Sequence, residues 1–156
     1  LGRAIVAAAP AGLIIWCMAN IMVSGEPLLA HVSGFLDPFG RLLGMDGVIL
    51  MAFILGFPAN EIVVPIIIMA YMSTGTLMEL DSLMELKQLF IDNGWTWVTA
   101  ACVMLFTPMH WPCATTCLTI KKETQSLKWT AVSILLPTVM GMLCCFIFAT
   151  IAKLFI

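Results

Sequence analysis

The sequence predicts an all-α membrane protein: a multi-helix transmembrane bundle in which two helices are broken by proline and glycine, either spanning or re-entrant. Three observations carry that prediction. The 156 residues are 62% hydrophobic and only 10% charged, with a mean hydropathy of +1.06, whereas a soluble domain carries roughly 25% charged residues. A soluble fold of this length leaves too much surface exposed to hide so much apolar material. Several runs reach the ~20 residues that cross ~30 Å of hydrocarbon as a helix. Two of them are interrupted near the middle, by GFPANE within 47–72 and by TPMHWPCATT within 94–120. Paired apolar segments broken by Pro or Gly are the best sequence pointer to a transport site. Residues 1–156 are therefore expected to form a single membrane domain, with its function where the two breaks meet.

The first span is expected over 4–23, an uncharged stretch. Pro10 removes a backbone donor and kinks it among small residues. Residues 24–46 are too interrupted to span, and read as a short interfacial helix with a turn at FLDPFG, since Asp-Pro initiates turns. His31 is an ordinary interfacial residue, and Gly40 with Gly44 forms a GxxxG outside any long apolar helix.

The run 47–72 accommodates one tilted span or two half-depth legs around GFPANE. Gly56 is suited to end the first leg and Pro58 to open the second. That places Asn60 and Glu61 at a helix N-terminus, where an ionised carboxylate is favoured. Pro65 also frees the Glu61 carbonyl, so one residue offers two oxygen ligands. Glu61 is the only charge in the run, and intramembrane ionisable groups are functional by default.

Residues 73–93 are the most soluble segment. An amphipathic surface helix is expected over 81–92, opened by a Ser82–Glu85 capping box, with Leu83, Leu86 and Phe90 at helical spacing.

The run 94–120 begins with Trp95 and Trp97 as an interfacial anchor. Pro108 and Pro112 then free the carbonyls of Met104 and Pro108, and Pro112 suits the first turn of a second leg. Cys113 and Cys117 are four apart and share a face. With Met109 and His110 they are expected to line one side of a cavity. The last span covers 129–152, without charge, around Pro137 and Gly141. Its Cys144 and Cys145 read as small hydrophobes. All six cysteines lie in apolar runs and read as free thiols. The basic residues fit two arrangements, and the one with both ends cytoplasmic agrees better with the positive-inside rule.

The formal charge of −2 and the absence of a basic stripe argue against nucleic acid. The two breaks together offer a carboxylate, freed carbonyls, an amide, thiols, a thioether and an imidazole. Mg²⁺ and Ca²⁺ prefer oxygen alone, whereas thiol and imidazole suit later divalent metals. The candidate metal-contacting residues are Cys113, Glu61, Met109, His110, Cys117 and Asn60. No tight C-x-x-C or H-x-x-x-H cluster is present, and a conduit binds too tightly if it has one.

GRAIVAAAPAGLIIW, FLDPFGRLLGMDGVILMAFILGFPANEI, ELKQLF with NGWTW, HWPCATT and TIKKET together resemble the C-terminal membrane region of the bacterial ferrous iron transport protein B family, FeoB. The likeness covers nearly the whole chain in order. It implies an Fe²⁺ permease of the bacterial inner membrane, multi-pass, whose Gate modules are related to nucleoside-transporter membrane domains. The chain would be the second Gate, with Cys113 as the candidate thiol in the iron path. The implied partners are the lipid bilayer, Fe²⁺ as cargo, a first Gate half and a cytoplasmic G domain of the same longer polypeptide, and small Feo accessory proteins. No cofactor is expected in this chain, because it has no G-x-x-x-x-G-K-[ST] motif and GTP with Mg²⁺ would bind only that other domain.

Two other readings remain beside permeation of Fe²⁺. In one the same architecture carries a nucleoside-like solute, with Trp111, Asn60 and Thr116 as contacts; in the other the chain is a structural membrane module. An enzyme is not expected: His110 and Cys113 suggest a base and a thiol, but no oxyanion donor or third orienting group is identifiable.

Overall fold

A computed structural model of the protein describes residues 2–72 and 82–155. Helices dominate, as the apolar runs require. In chain order they are α1 (Gly2–Asn20), α2 (Leu28–Leu42), α3 (Gly47–Leu55), α4 (Val63–Met72), α5 (Leu83–Asp92), α6 (Trp97–Met109), α7 (Ala114–Thr124) and α8 (Leu127–Phe155). One non-helical element was not expected: β1 (Met22–Val23) and β2 (Glu26–Pro27) form a minimal antiparallel hairpin. Its two central residues, Ser24 and Gly25, have φ of 56° and 93°, the positive pair that a tight hairpin turn demands.

Among the described residues α8 is the helix long and apolar enough to cross a membrane alone. Its 29 residues rise about 43 Å. Most of its apolar side chains, Leu135, Leu136 and Phe146 among them, stay exposed, which suits lipid and not water. α6 and α7 run antiparallel along it. Trp97 meets Phe148 edge-on, Cys145 Sγ donates to the Cys102 carbonyl at 3.4 Å, and a Cβ on Gly141 would lie 2.9 Å from Met109 Cβ. α7 continues down α8 and joins it through Gln125 at φ 53°. The second broken run therefore crosses the bundle.

The first broken run does not. Asp46 caps α3, its Oδ1 accepting from the Ile49 N–H at 2.7 Å, and its other carboxylate oxygen accepts a hydrogen bond from Tyr71 Oη at the far end of α4. Two residues 25 apart in an apolar run meet only if the run folds back. So α3 and α4 form an antiparallel hairpin with GFPANE at its tip. This choice between spanning and folding back was open in the sequence.

α2 and α5 lie across the helices that follow them, bent by 107° from α3 and by 111° from the α6–α7 pair. Both sit at the end of the bundle where α8 finishes, since Lys153 Nζ donates to the Arg41 carbonyl at 3.4 Å. α1 ends beside α2 at the same end and runs back to reach α7. The start of α1 and the end of α8 consequently fall at opposite ends of the bundle, in neither of the two expected arrangements. Lys121, Lys122 and Lys128 gather at one end, Arg41 and Lys153 at the other.

Three local expectations are corrected. FLDPFG is no turn, because α2 runs continuously through Pro38. The carbonyl that Pro38 leaves unbonded belongs to Gly34, where there is open space, and the preceding Asp37 accepts from Arg41 Nε of the same helix at 2.5 Å and from the Gly47 N–H of α3 at 3.2 Å. Ser82 starts α5 without a side-chain cap bond, so the capping box is absent. Leu83 is 84% exposed, and Leu86, Leu89 and Phe90 form the half-buried face instead. The remainder of the expected 81–92 helix and the carboxylates of Glu79 and Asp81 lie outside the described residues.

Glycine decides how closely the layers approach. A Cβ on Gly47 would stand 1.9 Å from the Ser33 carbonyl oxygen, and one on Gly40 would stand 2.6 Å from the Asp46 backbone. The Gly40 and Gly44 pair, discounted in the sequence, matters for this reason and because Gly44 takes φ 74° against Cys102. The core lies between these layers, with Ile49, Phe53, Ile66, Cys102 and Phe106 fully buried.

Candidate functional site

The hairpin tip is built from residues that stop helices. Gly56 caps α3, donating its N–H to the Ala52 carbonyl at 2.8 Å. A side chain there would collide with Val63 at 2.5 Å, so glycine is what lets α4 return so closely. Pro58 sits in the turn and does not open a helix as expected. Asn60–Ile62 forms one 3₁₀ turn, from which α4 departs.

The opposing break is an extended link of four residues. α6 continues through Pro108 and ends at Met109. The His110 N–H bonds the Phe106 carbonyl at 2.8 Å, and the backbone then extends (φ −76°, ψ 176°). α7 begins at Ala114 with Cys113 as its cap, at φ −61° and ψ 160°, so Pro112 lies before the helix and not in its first turn as expected.

The two breaks meet. The Ala114 N–H, at the first turn of α7, donates to the Phe57 carbonyl in GFPANE at 2.8 Å. A helix N-terminus from one broken run is thereby satisfied by the tip of the other.

His110 is the most buried polar residue at this junction, 5% exposed. Its ring is tilted against Phe53 at 5.1 Å and against Phe106 at 6.0 Å. A carbonyl accepts only, so the 2.6 Å contact between Nδ1 and the Thr107 carbonyl puts a proton on Nδ1. Nε2 is buried without a hydrogen-bond partner among the described residues, as is Trp111 Nε1. His110 opens onto a cavity of about 390 Å³ between α4 and α6, which Asn60 and Thr107 also line and whose other walls include Phe53, Val103 and Trp95.

The other predicted residues are not gathered there. Cys113 Sγ lies 3.1 Å from both the Thr115 and Thr116 hydroxyls. Cys117 is buried, and its thiol donates to the Pro112 carbonyl at 3.3 Å. Met109 packs against Gly141 of α8. Glu61 is exposed in the 3₁₀ turn, apart from the cavity lining. Met109, His110, Cys113 and Cys117 thus fail to line one wall, and among the described residues no three His, Cys, Asp or Glu side chains are placed to share a metal ion.

One feature had no sequence argument behind it. Trp95 Nε1 donates to Tyr71 Oη at 2.8 Å, completing a chain from Asp46 through Tyr71, while Trp95 stacks on Phe90 at 4.2 Å. The available signal was a lone tyrosine closing an apolar run that an aspartate opens.

Comparison with known proteins agrees with the membrane reading. A family model described as Gate, nucleoside recognition, matches residues 2–127. The chain is similar to the Fe(2+) transporter FeoB of Staphylococcus aureus strain MSSA476, 39% identical over 66 residues, and to that of strain COL at 38%. The aligned stretch is 42% of this chain and 10% of those relatives, so the chain corresponds to a small part of each. No solved structure matches. The likeness read from GFPANE and HWPCATT to ferrous iron transport proteins is therefore found independently.

Proposed function

The chain belongs to the Gate family, and on that premise we propose that it is the membrane domain of a transporter for Fe²⁺, carrying the ion past the junction of its two broken runs. The supporting observation is the Ala114 to Phe57 bond, which holds both interruptions of the apolar chain at one place. Non-helical backbone at membrane depth persists where it is buried in protein or lines a water-filled path. The donors around it are of mixed softness, with the Cys113 thiol, the His110 imidazole, the Asn60 amide and the Glu61 carboxylate within the two motifs. Such a set suits a late divalent ion better than Mg²⁺ or Ca²⁺.

The finer reading extends the resemblance. Transport runs across the bacterial inner membrane, the other Gate half and a GTP-binding domain of the same polypeptide complete and drive the path, and this domain performs no catalysis. The end carrying Lys121, Lys122 and Lys128 faces the cytoplasm, following the positive-inside rule.

The test is anaerobic uptake of ⁵⁵Fe²⁺ by cells expressing the full-length protein, with unlabelled Fe²⁺ or nucleosides as competitors. Saturable uptake displaced by Fe²⁺ alone supports the reading. The competing reading, a nucleoside-like solute, draws on the aromatic walls Phe53, Phe90 and Trp95 of the cavity. Displacement by nucleosides and not by metal would establish it instead.

A further inference from the structure

We propose that the end of the bundle where α8 finishes holds one zwitterionic phospholipid, its phosphate met by Lys153 and Arg41 and an acyl chain laid in the apolar groove between α5 and α6. The proposal needs only the membrane placement of the chain and is independent of its cargo.

The polar part is a cavity of about 600 Å³ where three elements meet. α2 brings Arg41, α8 brings Lys153, and the link into α6 brings Asn93, Trp95 and Thr96. Arg41, Lys153, Asn93 and Thr96 are exposed, so a ligand reaches them without rearrangement. Lys153 makes no ion pair among the described residues. Its ammonium gives one bond, to the Arg41 carbonyl at 3.4 Å, which keeps it beside α2 with two N–H donors left. Arg41 gives Nε to Asp37 at 2.5 Å, and the terminal nitrogens of its fork remain. The Thr96 and Thr99 hydroxyls stand 3.2 Å apart, and since only one can donate to the other, one O–H is left for a ligand. The N-terminus of α6, whose Val98 also lines the cavity, adds partial positive charge.

The charge balance selects the headgroup. Asp46 lines the same cavity, and its carboxylate keeps acceptor capacity after taking the Ile49 N–H and Tyr71 Oη. Two cations thus stand with two carboxylates, Asp37 and Asp46. A lining that carries both signs and little net charge suits a phosphate joined to a primary amine better than a plain anion.

The apolar part adjoins it. Trp95 and Thr96 are shared with a groove of about 360 Å³ whose walls include Leu86, Phe90, Trp97 and Ala100, with Lys87 as its charged residue. Phe90 and Trp95, stacked at 4.2 Å, stiffen one wall. Trp97, 63% exposed, and the bare Leu154 and Phe155 at the end of α8 mark this level as the boundary between water and hydrocarbon. A soluble phosphate compound would use the polar cavity alone. A phospholipid at that boundary uses both.

The experiment is native mass spectrometry of the full-length protein, stripped of lipid in detergent and titrated with phosphatidylethanolamine. Wild type is expected to hold one such lipid more tightly than any other. Lys153→Gln is expected to weaken that first lipid about fivefold, and Lys153→Gln with Arg41→Gln about twentyfold. Lys121→Gln with Lys122→Gln, at the other end of the bundle, is expected to leave it within about twofold. Ala100→Leu fills the groove and touches no charge, so it reports on the chain even where the charge variants fail to fold; the expected loss is about threefold. Phosphatidylglycerol of the same chains is expected to bind about threefold more weakly, and neither glycerophosphoethanolamine nor diacylglycerol to displace the lipid. Unchanged affinity in Lys153→Gln or in Ala100→Leu, phosphatidylglycerol held as tightly, or displacement by either fragment each overturns the assignment.

Discussion

The Phe57 carbonyl accepts the Ala114 N–H at 2.8 Å, so that the tip of a re-entrant hairpin caps the helix that restarts after the opposing break. Ala114 is the first residue of α7, the position at which proline is best tolerated because its N–H has no intrahelical partner. Cys113 before it is already extended, as a residue preceding proline must be. Ala114→Pro therefore deletes this one bond while sparing the helix. Expected is a loss of about 1 kcal/mol in unfolding in detergent, with Fe²⁺ uptake reduced several-fold at equal expression. Full uptake at unchanged stability would show that the contact between the breaks does not matter.

Tyr71 ties the base of the same hairpin. Its hydroxyl bonds Asp46 and receives the Trp95 indole, so Tyr71→Phe strips a partner from a capping carboxylate and a donor at once. The expected cost is about 2 kcal/mol, accompanied by a shift in Trp95 fluorescence as the indole is freed. Fluorescence of a Trp95→Phe background identifies which of the tryptophans contributes.

How far these features were legible depends on the residue. Proline removes a backbone donor wherever it sits, so GFPANE and HWPCATT could be picked out as breaks before any geometry was known. Which run folds back could not, because the residues 47–72 satisfy both forms locally, and the decision falls to Asp46 and Tyr71, 25 positions apart. The grouping of Met109, His110, Cys113 and Cys117 failed for a definite reason. Helical spacing holds a face only while the helix persists, and the link at 110–113 is extended, which resets the phase between the imidazole and the thiols. Pro38 misled in the opposite sense: it signals a turn, yet its helix continues where there is room at Gly34.

Gly47 and Gly34 make a matched pair in two packed helices. A Cβ on Gly47 meets the Ser33 oxygen at 1.9 Å, while one on Gly34 meets nothing within 4 Å. Gly47→Ala should cost about 3 kcal/mol by forcing α2 from α3. Gly34→Ala should gain up to about 1 kcal/mol, from the lower entropy of the unfolded chain. Thermal unfolding of both variants in one detergent gives the comparison, and equal effects would contradict the close approach of the two helices.

Cys113 and Glu61 belong to the motifs but stand outside the cavity, which separates rate from affinity. The Cys113 sulfur is held between the Thr115 and Thr116 hydroxyls at 3.1 Å each, and under the proposed transport of Fe²⁺ it is expected to act on the ion in passage. Glu61 is exposed in the 3₁₀ turn, and under the same proposal its charge is expected to draw a cation toward that tip. Cys113→Ser is expected to lower the maximal rate of Fe²⁺ uptake about fivefold or more while the concentration for half-maximal uptake stays constant, since a hydroxyl is a poorer ligand for a late metal than a thiol. Glu61→Gln is expected to raise that concentration about threefold or more, and the more so at low ionic strength, where a lost charge is least screened. Uptake measured against Fe²⁺ concentration at two salt levels separates them. A Cys113→Ser variant that changes only the half-maximal concentration would place the thiol where the ion rests and not along its passage.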